Sequence, residues 1–214
     1  MGKKEQIAYY ENLLAKYGAN YKALDWNSPE SQKLRFLILK EIFIYGKKGA
    51  DISVLDVGCG LGDLYGFFRS EGLLQKHKIR YTGYDISPKI LDEAKKKYPE
   101  ADFAQKDILE EKSPLRFDYV FCSGVYNIRT LDKEKHMEWV EAMLARMYDI
   151  SGCGVAVNFL SDAGLEMADV EDINSGRYFL FKPDEILNIC RKLCSRYLLR
   201  HDYHPGDFSV YLLK

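Results

Sequence analysis

Residues Val54-Leu55-Asp56-Val57-Gly58-Cys59-Gly60-Leu61-Gly62-Asp63 join an apolar run to three glycines at alternate positions. Glycines so placed let a chain turn sharply from a strand into a helix. They also remove Cβ atoms where a ligand presses on the backbone, and the helix's free N–H groups then face that ligand. About twenty residues further on, Arg80-Tyr81-Thr82-Gly83-Tyr84 ends at Asp85, an acid able to accept two ribose hydroxyls. The next apolar run, Phe103-Ala104-Gln105, leads through Lys106 to Asp107 and Ile108, where a second carboxylate can accept from an adenine amino group. A glycine triplet alone also fits a tight turn with nothing bound. The two acids that follow it make this a nucleotide-type site.

These residues have to be positioned by a sheet. From about residue 51 onward, β-branched runs alternate with helical patterns, which predicts a parallel sheet with crossover helices. Strands are expected at Ile52 to Val57, Ile79 to Tyr84, Ala101 to Gln105, Tyr119 to Ser123, Gly154 to Leu160, Arg196 to His201 and Phe208 to Leu213. Helices are expected at Leu64 to Ser70, Pro88 to Tyr98, Lys133 to Tyr148 and Pro183 to Cys194, with Ser87-Pro88 and Lys182-Pro183 as starts. The connection between the last two strands is too short for a crossover, so they pair as an antiparallel hairpin at one edge. Two further helices, Gln6 to Tyr17 and Pro29 to Tyr45, precede the sheet as an N-terminal cover. The expected organisation is a cover over residues 1–50 and a binding domain over 51–214. Tyr9, Tyr10, Tyr17, Tyr21 and Trp26 crowd the cover, mostly to pack helices on the sheet, with some free to line a pocket.

The chain has 214 residues, 47% hydrophobic and 29% charged, enough for one sizeable core. Thirty-one Lys and Arg against 32 Asp and Glu leave a net charge of -1, which gives no attraction to polyphosphate or anionic lipid. Nucleic acid and membrane are not expected partners, and the one basic triplet, Lys95-Lys96-Lys97, reads as a solvated helix face. No signal-peptide pattern opens the sequence, and five scattered cysteines read as reduced thiols, so a cytoplasmic location is expected. Cys190 and Cys194, with His201 and His204 downstream, match no zinc-finger spacing; they fall on an apolar stripe, and no metal is expected.

In motif order and spacing, residues 51 to 214 resemble the class I S-adenosylmethionine-dependent methyltransferases. The resemblance implies an α/β, Rossmann-like, seven-stranded, mostly parallel sheet with an antiparallel last strand and helices on both faces. It implies S-adenosylmethionine as cofactor. Gly58, Gly60 and Gly62 would lie along the methionyl part, and Asp56 would support the loop and the ammonium. Asp85 with Ile86 would hold the ribose, Asp107 with Ile108 would frame the adenine, and Ser123 would close the site after the fourth strand. A nicotinamide oxidoreductase is the main competitor. Its G-x-G-x-x-G fingerprint fails here, because counting from Gly58 puts Asp63, and from Gly60 puts Tyr65, at the last position. A domain that binds the cofactor as a sensor or scaffold, without turnover, is the other alternative.

The acceptor in this family usually sits beyond the fourth strand, which directs attention to Ser123, Tyr126, Asn127 and Arg129, with Tyr126 and Asn127 as catalytic candidates. Ser123-Gly124-Val125-Tyr126 replaces the Asn/Asp-Pro-Pro-aromatic signature of members that methylate base or glutamine nitrogens. A small-molecule acceptor is expected, with proteins a weaker option. Arg35 is expected to bind the cofactor's methionyl carboxylate, from the edge of a buried stripe formed by Leu34, Leu37, Ile38 and Ile42. His77, His136, His201 and His204 read as structural or solvated, leaving no named base. Ser161 to Lys182, carrying Asp162, Glu166, Asp169, Glu171 and Asp172, is a long connection that reads as a substrate lid or a solvated insertion. The oligomeric state is left open.

Overall fold

The structure is a computed structural model that describes residues 2–46, 51–112, 114–129, 131–167 and 175–214. Its strands are β1 (Ser53–Val57), β2 (Arg80–Asp85), β3 (Asp102–Gln105), β4 (Phe117–Cys122), β5 (Ser151–Leu160), β6 (Arg196–Arg200) and β7 (Asp207–Leu213). They form one sheet in the order β3-β2-β1-β4-β5-β7-β6. Pairings among β1 to β5 are parallel, whereas β7 runs antiparallel to both β5 and β6. The expected hairpin is therefore at the edge, with its second strand inserted beside β5.

The helices are α1 (Lys3–Tyr17), α2 (Pro29–Leu39), α3 (Asp63–Ser70), α4 (Leu73–Lys76), α5 (Pro88–Lys97), α6 (Lys133–Ile150) and α7 (Pro183–Leu193). Proline at the first helical positions and a serine cap begin α2 and α5: Ser28 Oγ accepts from Ser31 N, and Ser87 Oγ from Ile90 N. The expected single helix from Pro29 to Tyr45 instead tightens into a 3-10 segment at Lys40–Ile44. The short α4 carries too little periodicity to be read from sequence.

Alternation along the strands sorts the core into two layers. Leu55, Val57, Val120 and Cys122 point to the face covered by α6 and α7. Val54, Tyr119 and Phe121 point to the face covered by α2, α3, α4 and α5. The cover is tied into this core, since Phe36, Ile38, Leu39 and Ile42 are buried in it and Tyr211 Oη donates to the Ile38 carbonyl. The buried stripe of α2 thus runs through Gln32, Arg35, Phe36, Ile38 and Leu39, and the expected Leu34 and Leu37 are only half-buried. Helix α1 buries no residue fully and lies against α5, where Glu11 accepts from Ser87 Oγ and pairs with Lys89. Among the described residues no helix is long and apolar enough to cross a membrane.

Candidate active site

The sheet order reverses between β1 and β4, and a cavity of about 700 Å³ opens at the strands' C-terminal ends at that point. The glycine turn forms its floor. Gly58 and Cys59 donate to the Tyr84 carbonyl at 2.7 and 3.0 Å, which ties the turn to the end of β2. Gly58, Gly60 and Gly62 have φ of 71°, 54° and 75°. A Cβ on Gly58 would stand 2.2 Å from Val125, and one on Gly60 would stand 2.8 Å from Leu24 of the cover. Gly58 and Gly60 line the cavity, but Gly62 does not. A Cβ there would strike Phe103 and Tyr98, so Gly62 serves the close packing of α3 on the sheet and not the ligand.

Asp85 ends β2 with both carboxylate oxygens anchored: one accepts from Gly60 N at 3.0 Å, the other from Ser87 N at 2.9 Å. Each oxygen keeps a second lone pair for a ribose hydroxyl. Burial pushes this carboxyl up, against the backbone N–H groups of Ser87, Gly60 and Ile86. Ile86 and the buried Ile108 line the wall beside it. Asp107 also lines the cavity, but one oxygen accepts from Leu109 N and the other pairs with Lys3 at 2.8 Å. An adenine amino group reaching Asp107 therefore shares it with Lys3. Ser123 Oγ, just beyond β4, is buried without a partner among the described residues. Asp56 stands behind the turn, on the wall of a pocket of about 30 Å³ shared with Gly58 and Ser123. Tyr81 Oη donates to it at 2.6 Å, and burial raises its pKa to about 7.

The acceptor candidates divide. Tyr126 is fully buried, stacked on Phe159 and edge-on to Trp139, and is absent from the cavity wall. The chain turns at Gly124 with φ 77° and drives this aromatic into the core, so the expected catalytic position is a packing position. Asn127 does line the cavity, but its Oδ1 accepts from Leu160 N at 3.3 Å and its carbonyl from Phe179 N. Arg129 is exposed, with its guanidinium over the Phe179 ring. Arg35 reaches the wall from α2, buried and not at an edge. Its Nε donates to Asp207, its Nη1 to Ser31, and its guanidinium lies over Trp26.

Other wall residues carried weaker sequence signals. Tyr10 and Trp26 come from the aromatic cluster of the cover, while Ser161 and His204 follow strands and needed the sheet order to be located. Of the long connection, Tyr178 and Leu180 join the wall; Asp169, Glu171 and Asp172 lie outside the described residues, as does the Glu166 side chain. His136 is buried against Phe179 and bonded to the Tyr126 carbonyl. Cys190 packs in the core, and among the described residues no group of His, Cys, Asp or Glu is placed to hold a metal ion.

The wall fits S-adenosylmethionine. Gly58 and Gly60 present bare backbone to the cavity, Asp85 presents paired acceptors, Ser123 Oγ lacks a partner among the described residues, and the volume leaves room for an acceptor. A pyrophosphate would instead meet Asp63 at the start of α3, held there by Gln32 and Lys97. The family described as Methyltransferase domain matches residues 54–149. The ubiquinone/menaquinone biosynthesis C-methyltransferase UbiE of Campylobacter jejuni is 28% identical over 210 residues, covering 95% of this chain and 77% of that protein. The magnesium protoporphyrin IX methyltransferase ChlM of Synechocystis PCC 6803, solved with bound SAH, aligns with a TM-score of 0.67 at 18% identity over 99% of this chain and 100% of that one. The N-methyltransferase NodS of Bradyrhizobium japonicum, in complex with S-adenosyl-L-homocysteine, aligns with a TM-score of 0.65 at 16% identity over 97% of each chain. At these identities the two structures speak for the fold, while in sequence and in the make-up of the site the chain is similar to the class I S-adenosylmethionine-dependent methyltransferases.

Proposed function

We propose that the protein transfers a methyl group from S-adenosylmethionine to a small-molecule acceptor in the cytoplasm, with residues 1–50 as cover and 51–214 as the binding domain. The observation that carries this is Asp85, its two oxygens fixed by backbone N–H groups at the point where the sheet order reverses, facing a cavity with space beyond it. When bound, the cofactor supplies a sulfonium methyl already activated for in-line displacement. The chain then has to bind, orient and exclude water. Asp85 accepts the ribose hydroxyls, with Ile86 and Ile108 against the adenine and Asp107 sharing its amino group with Lys3. Gly58 and Gly60 support the methionyl chain and Ser123 donates to it. Asp56 sits one layer below, holding Tyr81 and the turn. Arg35 directs Nη2, which has no partner among the described residues, to the methionyl carboxylate.

A small acceptor is supported by the cavity's volume of about 700 Å³ and by the relatives, whose names give ubiquinone/menaquinone biosynthesis and magnesium protoporphyrin IX. The cysteines support the compartment, since none of the five is paired in a disulfide. The net charge of -1 gives no support to a nucleic-acid acceptor. The test is to incubate the protein with methyl-labelled S-adenosylmethionine and a whole-cell extract. Label is expected in the low-molecular-weight fraction, with stoichiometric S-adenosylhomocysteine. Label confined to acid-precipitable protein or nucleic acid would overturn the acceptor class, and no turnover would favour a binding-only domain.

A further inference from the structure

We infer that His204 is a fixed hydrogen-bond donor to the methyl acceptor, and that this acceptor is an uncharged, largely apolar molecule offering an oxygen to it. The inference rests on the methyl-transfer reading of the same cavity. His204 lies on the connection between β6 and β7 and lines the cavity. Its Nδ1 accepts from Gly206 N at 3.0 Å. A neutral imidazole that accepts at Nδ1 carries its proton on Nε2, so this bond assigns the tautomer. Nε2 has no partner among the described residues. It therefore offers a donor and no lone pair, which makes the ring a positioning residue for an oxygen and not a base.

The donor is held stiffly. Gly206 lies against Gly164, where an added Cβ would stand 2.8 Å from the Gly206 Cα, and Ser161 N donates to the Gly206 carbonyl at 3.0 Å. Asp207, the next residue, is fully buried and accepts from Arg35 and Tyr203. A donor whose geometry is fixed before binding costs little further ordering when the ligand arrives.

Charge in the wall selects against ions. Lys3 pairs with Asp107 and Glu110, Arg35 with Asp207, and Lys106 with Glu111. Among the described residues each cation lining the cavity already faces an acid, and the remaining Nη2 of Arg35 is taken by the methionyl carboxylate, so an anionic acceptor would lose hydration without gaining an unshared countercharge. Asp25 accepts from Tyr9 Oη and faces Arg177. A cationic acceptor would in addition approach the cofactor's sulfonium. Trp26, Ile128, Leu131, Trp139, Leu160 and Leu180 supply the apolar wall.

The experiment uses the full chain saturated with S-adenosylhomocysteine, whose own affinity is first measured by calorimetry. Three matched phenols serve as probes: methyl 4-hydroxybenzoate (neutral), 4-hydroxybenzoate (anionic) and tyramine (cationic), titrated by ligand-observed NMR. The neutral ester is expected to bind about tenfold more tightly than either ion. His204→Phe should weaken the ester about tenfold while His204→Gln, which keeps a donor, restores most of it, both variants binding S-adenosylhomocysteine as the parent does. Ring ¹⁵N shifts should show the proton on Nε2. Equal or tighter binding of an ion, no binding of the ester, an ester affinity indifferent to His204→Phe, or a proton on Nδ1 would overturn the inference. Failure to bind S-adenosylhomocysteine at all would instead overturn the methyl-donor reading beneath it.

Discussion

Asp56 and Asp85 are carboxylates on neighbouring strands that act in different surroundings. Asp85 is held by backbone N–H groups at the cavity wall, whereas Asp56 sits in the core with a tyrosine hydroxyl as its bonded partner. Burial, reinforced by the charges of Asp85 and Asp63, raises the Asp56 pKa to about 7. Between about pH 4, where the unfolded side chain ionises, and pH 7 the native state keeps a proton that the unfolded state has lost. Stability should therefore fall with rising pH across that window, by up to about 1.4 kcal/mol per pH unit from this group. Asp56→Asn removes that contribution, so denaturant melts from pH 4.5 to 8 should show a flatter profile than the parent and a relative gain above pH 7. Parallel profiles would mean that Asp56 is ionised throughout. The sequence made Asp85 legible because a strand-ending acid at that spacing has few other uses. It could not show that Tyr126 turns inward or that Lys3 occupies Asp107, since both depend on a loop reversal and a terminal helix meeting the sheet from far along the chain.

At the scale of elements, the strand–turn–helix unit from Ser53 to Ser70 splits its glycines between two purposes. Gly60 faces the cavity and the cover, while Gly62 faces Phe103 and Tyr98. Gly62→Val should destabilise the fold by about 1–3 kcal/mol, through overpacking and a left-handed backbone, and leave cofactor affinity in the folded protein unchanged. Gly60→Val should abolish S-adenosylhomocysteine binding in a protein whose circular dichroism stays that of the parent. Urea melts and calorimetry on both variants check the division, and the reverse pattern would exchange the two assignments. The sequence marked this unit clearly, through an apolar run, glycines and a helix start. It missed the 3-10 break at Lys40–Ile44, because a tightened turn keeps the apolar spacing of a helix end. It gave the terminal hairpin but not the place of β7 beside β5, which is set by pairing across the whole sheet.

Across the whole molecule, the Arg35–Asp207 pair joins the N-terminal cover to the last strand, both side chains buried and braced by Tyr203 and Asn158. Removing one partner leaves a buried charge, so Asp207→Ala should cost about 3–5 kcal/mol in urea unfolding, and Arg35→Met with Asp207→Leu should recover much of it. A loss under 1 kcal/mol for the single variant would mean that water already reaches the pair. This closure of chain start onto chain end shapes the cavity, since α1, Leu24, Trp26 and α2 supply one wall and the β6–β7 turn another. In the proposed function the methyl donor lies on the glycine turn with its ribose on Asp85. Calorimetric titration with S-adenosylhomocysteine and NAD, for the parent and Asp85→Ala, tests it most directly. One-to-one binding of S-adenosylhomocysteine, no heat with NAD, and a loss of about 1.5–3 kcal/mol in the folded variant are the predicted results. Binding of NAD by the parent, or an Asp85→Ala variant that binds S-adenosylhomocysteine as tightly as the parent, would contradict it.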